Sequence, residues 1–233
     1  MPGKNRQKDF LLLQVNDALF PIGGYSHSYG LETYIQKDIV KDEKTASSYM
    51  KNYLNQSMLY NSLLTVRLAY EYSRANDLES LKKLEEQILA SIAPREIREA
   101  GKKLGSRFVK TLASLDIEFE SDIFLNYVKQ QKAYSISHTC AYGVFCAAIG
   151  VEKLKMLEHY LYAQTSVMVT NCVKSVPLSQ TSGQKILNKC YEIFEELLDK
   201  VEMLDESWLF ASAPGFDVRC MQHEDLYSRI YMS

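Results

Sequence analysis

The sequence lacks the features by which several classes of protein are recognised. Its 27 basic and 29 acidic side chains leave a net charge of only −2. That balance provides no electrostatic basis for holding nucleic acid or an anionic membrane. No apolar run approaches the ~20 residues that span a bilayer. The polar opening Met-Pro-Gly-Lys-Asn-Arg-Gln-Lys-Asp carries no apolar core of a signal peptide. Cysteine is scarce. Cys140, Cys146, Cys172, Cys190 and Cys220 are odd in number and form no Cys-x-x-Cys. They read as reduced, buried thiols of a cytoplasmic protein. The phosphate loop Gly-x-x-x-x-Gly-Lys-Ser/Thr is missing. The stretch 101–106 has its composition in the wrong order, within a helix, so no nucleotide site or cofactor is expected. Runs of β-branched residues are short, hairpin dipeptides are absent and no repeat is visible.

What is present is helical periodicity. Hydrophobic residues make up 46% and charged residues 24%, ordinary globular values. A single domain of 233 residues buries about 70–75% of its unfolded surface without staples. The pattern predicts helices over 11–18, 25–37, 42–75, 78–89, 94–115, within 116–133, and over 138–149, 152–176 and 183–204. Asp42 and Asp77 are placed to cap helices, and Gly150 to end one. Gly101 and Gly105 share a helix face and predict close approach by another helix. Residues 1–8 are expected to be disordered and 207–233 to form a tail with a short turn of helix. The predicted fold is all-α, a single-domain bundle of about eight to ten helices.

The stretch from Phe20 to Glu32, Phe-Pro-Ile-Gly-Gly-Tyr-Ser-His-Ser-Tyr-Gly-Leu-Glu, concentrates special residues. Pro21 fixes its own φ, and Gly23 and Gly24 permit a tight turn. Ser26 or Ser28 is available to cap the following helix. Ser26 and His27 beside glycines invite a hydrolase reading. A nucleophile elbow needs Gly-x-Ser-x-Gly between strand and helix, however, and Ser28 stands where the second glycine belongs. No catalytic residue is assigned. Two pairs, His138 with Cys140 and Cys220 with His223, have ligand chemistry but fall short of the four donors of a structural zinc site. A metal shared across a dimer by His27 or His223 remains open.

Three further stretches read as contact surfaces. Arg95 and Arg98 open a helix on one side, and Arg95 is spaced to pair with Glu99. Lys174, Pro177 and Gln180 lie where one helix ends and the next begins; Lys174 also suits the negative end of the helix dipole. The stretch His223, Glu224, Asp225, Leu226, Tyr227, Ser228, Arg229 and onward to Met232 is rich in aromatic, apolar and Arg side chains, the types favoured in interfaces.

These motifs together resemble the UreF family of urease accessory proteins. The run 19–32 resembles its L-P-x-G-G-F-x-x-S-x-G-L-E signature, with Phe20 for Leu and Tyr25 for Phe. Arg95-Glu96-Ile97-Arg98 and Gly105-x-Arg107 look like R-E-L-R and G-x-R. The stretch 138–150 resembles the family's helix that opens on His and carries two Gly. The stretch 171–184 resembles N-x-V-K-x-x-P-L-x-Q-x-x-G-Q, with Ser179 where Gly is frequent. The stretch 223–229 resembles H-E-x-L-Y-S-R. The resemblance implies an all-α, cytoplasmic homodimer with no enzymatic activity. Such a chaperone links UreD (also called UreH) and the GTPase UreG to apo-urease and regulates GTP-dependent nickel insertion. It implies that Pro21, Gly23, Gly24, Tyr25, Ser28, Arg95, Arg98, Lys174, Pro177, Gln180, His223, Glu224, Tyr227, Ser228 and Arg229 contact partners. Lys174 is expected to couple to the GTPase. The alternative is a metal carrier that binds nickel directly through the His/Cys pairs.

Overall fold

The computed structural model describes residues 2–131, 135–211 and 213–233. The described residues are helical without a strand. The helices are α1 (Pro2–Val15), α2 (Leu31–Gln36), α3 (Glu43–Tyr53), α4 (Leu64–Arg74), α5 (Leu78–Ser91), α6 (Arg95–Leu112), α7 (Ile123–Gln130), α8 (His138–Ala148), α9 (Lys153–Ser175), α10 (Gln180–Met203) and α11 (Pro214–Gln222). A π-helical segment, Leu54–Leu63, joins α3 to α4 end to end. The long helix expected over 42–75 is therefore one rod with a widened middle.

Side chains set where the helices start. The Asp42 carboxylate accepts from Thr45 N at 2.8 Å, while Thr45 Oγ1 accepts from Asp42 N at 3.0 Å, a reciprocal cap. Asp77 caps α5 through Ser80 N at 3.0 Å. Ser137 caps α8 through Cys140 N at 3.2 Å. Gly150, at φ +70°, ends α8 as expected, and Val151 N returns to Cys146 O at 3.0 Å.

The centre of the molecule is α8 laid against α4. Cys140 through Ala148 are all buried. A Cβ on Gly143 would stand 2.5 Å from Val66 O, so the helices meet backbone to backbone. Around them Leu54, Met58, Leu63, Phe108, Tyr127, Phe145, Met156 and Leu161 complete one continuous core. No helix among the described residues is long and apolar enough to cross a membrane.

Several expectations change. Residues 2–8 are helical, not disordered: Lys8 pairs with Glu120, and Asp9 pairs with Lys155 at 2.5 Å, so the polar first helix has anchors in distant chain. Met1 lies outside the described residues, as do 132 and 133 of the expected segment 116–133 and 212 of the expected tail. The helix expected over 25–37 is only α2. A 3-10 turn, Gly24–Ser26, precedes it, and neither Ser26 nor Ser28 caps it; Gly30 does, at φ +83°. Gly105 is approached by the Ile136 carbonyl of an extended segment, and a Cβ on Gly101 would meet nothing within 4 Å. The helix–helix contact expected of this pair is not formed. The stretch 207–233 is no free tail. Trp208 stacks on Tyr60 at 5.9 Å, and Phe216 of α11 packs among Tyr34, Tyr49 and Tyr53 at 5.8–6.1 Å.

Candidate functional site

The site grows from the 20–32 segment, which cannot continue as helix. Pro21 and the left-handed Gly23 turn the chain away from α1. Arg107 of α6 lies over that turn and donates to Ile22 O at 3.1 Å. A Cβ on Gly23 would stand 2.7 Å from the same guanidinium. Tyr29, at φ 51°, and Gly30 make a second left-handed corner. At Gly30 a Cβ would stand 2.9 Å from Cys220 Sγ and 3.1 Å from Cys220 N, so α11 seats on bare backbone.

The last residues of the chain lie along this segment. Ser28 N and Tyr29 N donate to Ser233 O at 2.6 and 3.2 Å, and Met232 N donates to Ser26 O at 2.9 Å. Ser28 Oγ adds a bond to Ser233 O at 2.8 Å. The Glu32 carboxylate accepts from Ile230 N at 2.6 Å and Tyr231 N at 3.1 Å. Asn171 of α9 braces the other side by donating to His27 O at 3.0 Å.

His223 closes the arrangement. Its side chain is fully buried between two carboxylates, with Nδ1 2.7 Å from Glu96 of α6 and Nε2 3.0 Å from Glu32 of α2. Arg229 donates to the other oxygen of Glu96 at 2.7 Å. Arg95 donates to Glu224 at 2.6 and 3.1 Å. Four motifs read separately from the sequence thus meet in one place.

The candidate residues divide by where they face. Ser28, His223, Glu224, Arg95 and Arg229 are engaged with other parts of the chain. The expected Arg95–Glu99 pair does not form: Arg95 directs its Nε and Nη2 to one oxygen of Glu224, and Glu99 takes Lys102 at 2.9 Å instead. Arg98 donates to Ile92 O at 2.7 Å and Ala93 O, finishing α5. Pro21, Tyr25, Lys174, Pro177, Gln180, Tyr227 and Ser228 are exposed, and Gly23 and Gly24 are half-buried. Tyr227 is wholly exposed, Ile230 73% and Met232 55%, an apolar display on a backbone that is itself bonded down. A groove of about 560 Å³ continues from Leu19 and Tyr25 to Tyr162 and Lys174 on α9. Gly30, Glu32, Glu96, Arg107 and Asn171 carry the geometry but were not singled out from sequence. All five lie inside the quoted motifs, so a signal was there without a partner to read it against.

The chemistry available is that of contact. Ser26 Oγ donates to Gly23 O at 2.7 Å, while His27 Nδ1 pairs with Ser233 Oγ at 2.9 Å, so the two do not form a nucleophile–base couple. Burial, then Arg107 and Lys103, pushes the His27 imidazole below its usual range. His138 packs edge-on against Phe108 at 5.1 Å, and burial lowers it to about 4. Cys140 lies instead beside Glu85 and Tyr127, so His138 and Cys140 do not converge. Among the described residues no three His, Cys, Asp or Glu side chains form a metal-holding group. All five thiols are buried and unbridged, and burial pushes Cys220 and Cys172 up to about 12.

The profile of the UreF family matches residues 40–191. A urease accessory protein UreF from Lachnoclostridium phytofermentans is 33% identical over 224 residues, covering 95% of this chain and 97% of that protein. Those from Bacillus sp. strain TB-90 and Ureaplasma urealyticum serovar 10 are 32% and 31% identical, each again over 95% of this chain. The motif order, the helical fold and this likeness along nearly the whole length agree: the chain belongs to the UreF family of urease accessory proteins.

Proposed function

We propose that this chain serves urease maturation as a non-enzymatic scaffold in the cytoplasm. As a homodimer it joins UreD (UreH) and the GTPase UreG to apo-urease and regulates GTP-dependent nickel insertion. The observation that carries the docking role is the display of Tyr227, Ile230 and Met232 beside Tyr25, on a backbone held by Glu32, Ser26 and Ser28. Large apolar side chains on a pre-ordered backbone bind at little entropic cost, which suits an interface core. We assign UreD to this face and UreG to the neighbourhood of Lys174, on the α9 wall of the groove that Tyr25 also lines.

The test is co-purification with UreD. Tyr227→Ala combined with Ile230→Ala removes exposed side chains and leaves the bonded backbone intact. UreD capture is expected to fall by about tenfold or more, equivalent to about 1.4 kcal/mol. Undiminished capture by the folded double variant overturns the assignment. The metal-carrier alternative has no observation in its favour: His223 is taken by two carboxylates, and Cys220 lies tight against Gly30. Tight nickel binding in calorimetry of the purified chain would restore it.

A further inference from the structure

We propose that docking of the 223–233 segment is coupled to a proton held on His223. The face assigned above to UreD assembles with that proton bound and comes apart when it leaves. The regulatory role rests on that assignment; the proton coupling itself rests on hydrogen-bond counting.

The two nitrogens of the His223 ring each meet a carboxylate oxygen, Glu96 Oε2 at 2.7 Å and Glu32 Oε2 at 3.0 Å. An ionised carboxylate only accepts, and a neutral imidazole has a single N–H. A neutral ring would aim one nitrogen lone pair at an oxygen lone pair. Either the ring holds both protons, or one carboxyl group is protonated. The remaining contacts decide. Glu32 already accepts from Ile230 N at 2.6 Å and Tyr231 N at 3.1 Å. Glu96 accepts from the Arg229 guanidinium at 2.7 Å. Glu32 spends both oxygens on these amides and Glu96 faces a permanently charged guanidinium, so hydrogen-bond counting places the second proton on the ring.

The surroundings agree. Imidazolium, Arg229 and Arg95 then balance Glu32, Glu96 and Glu224. From the signature segment the nearby titratable group is His27, which burial, Arg107 and Lys103 hold towards its neutral form. From α11 it is Cys220, which burial keeps as a thiol, with Asp217 beside it. Neither is poised to supply the missing proton. Because the His223 side chain has no exposure, water does not repair the lone-pair clash when the proton is lost. Glu32 then holds the Ile230 and Tyr231 amides against a repelling neighbour, and the segment lets go.

Hydrogen exchange on the full chain, corrected for intrinsic rates, reads the coupling. As pH rises, exchange at 228–233 is expected to accelerate by about tenfold or more in the wild type, while α8 stays protected. Glu96→Gln removes the requirement. Its amide donates to Nδ1 of a neutral ring, and its oxygen still accepts from Arg229. Protection in that variant is expected to persist through the same range. Identical loss in both proteins, or no loss in the wild type, overturns the proposal. Nitrogen NMR of His223 is the second measurement, independent of any variant: two protonated ring nitrogens in the docked state support it, and a neutral tautomer with the segment docked overturns it. UreD capture at each pH separates the two readings. Capture that tracks protection supports both; docked protein that fails to capture UreD removes the assignment of the face and leaves the latch to the exchange and NMR results.

Discussion

His223 and Glu32 are 191 residues apart in sequence and 3.0 Å apart in space. Through this contact the closing motif of the chain is locked to its opening signature. Glu32 does two jobs: it pairs with the imidazole and holds the Ile230 and Tyr231 amides. The display of Tyr227, Ile230 and Met232 therefore depends on a buried polar cluster rather than on the apolar residues themselves.

His223→Ala is expected to cost about 3 kcal/mol or more, because it leaves two carboxylates facing each other without their shared partner. Denaturant unfolding measures the loss. A cost under about 0.5 kcal/mol would mean that the cluster carries no stability.

Glu85 predicts a separate pH dependence. It is buried, accepts from the Tyr127 hydroxyl and from Ser137 N at 3.0 Å, and burial raises it to about 7. A carboxyl raised in the folded state stabilises most below its unfolded value, near 4.5. That contribution, about 3 kcal/mol, is withdrawn as pH rises to about 7. Glu85→Gln keeps the shape without the charge and is expected to flatten unfolding free energy across that window.

Two glycines predict opposite signs. Gly30→Ala forces a Cβ into a left-handed corner 2.9 Å from Cys220 Sγ and is expected to destabilise by about 1–3 kcal/mol. Gly101→Ala adds a methyl to a helix interior with nothing within 4 Å and is expected to stabilise by up to about 1 kcal/mol. Thermal unfolding of both variants settles the pair.

Lys174→Ala tests the groove. The side chain is exposed at the end of α9 and its removal is expected to change stability by no more than about 0.5 kcal/mol. On the proposed function it weakens the effect of this chain on UreG GTP turnover, measured in the reconstituted mixture. Unchanged turnover would detach Lys174 from the GTPase.

Much of the fold was legible because helix signals are local. Asp42, Asp77 and Gly150 act within a few residues of themselves, and each does at its helix end what its type suggests. The apolar positions 186, 187, 190, 197 and 201 recur at helical spacing, and all are buried on α10. The errors fell where distant chain decides. The polar first half of α1 reads as disorder until Glu120 and Lys155 are there to anchor it. Arg95 pairs with Glu224 rather than with Glu99, nearer in sequence, because the fold sets one Glu224 oxygen against two of its guanidinium nitrogens, Nε and Nη2.

Periodicity and composition alone determined that the chain is helical and that its cysteines lie in the core. The ordered motifs added the family. Only the tertiary structure decided which motif residues face outward and which are engaged within the chain. Hydrophobic periodicity reports a face towards some core, whereas a buried imidazole between two carboxylates exists only once three remote segments meet. Such a contact has no local pattern, because the groups that offset each other's loss of water are brought together only by the fold.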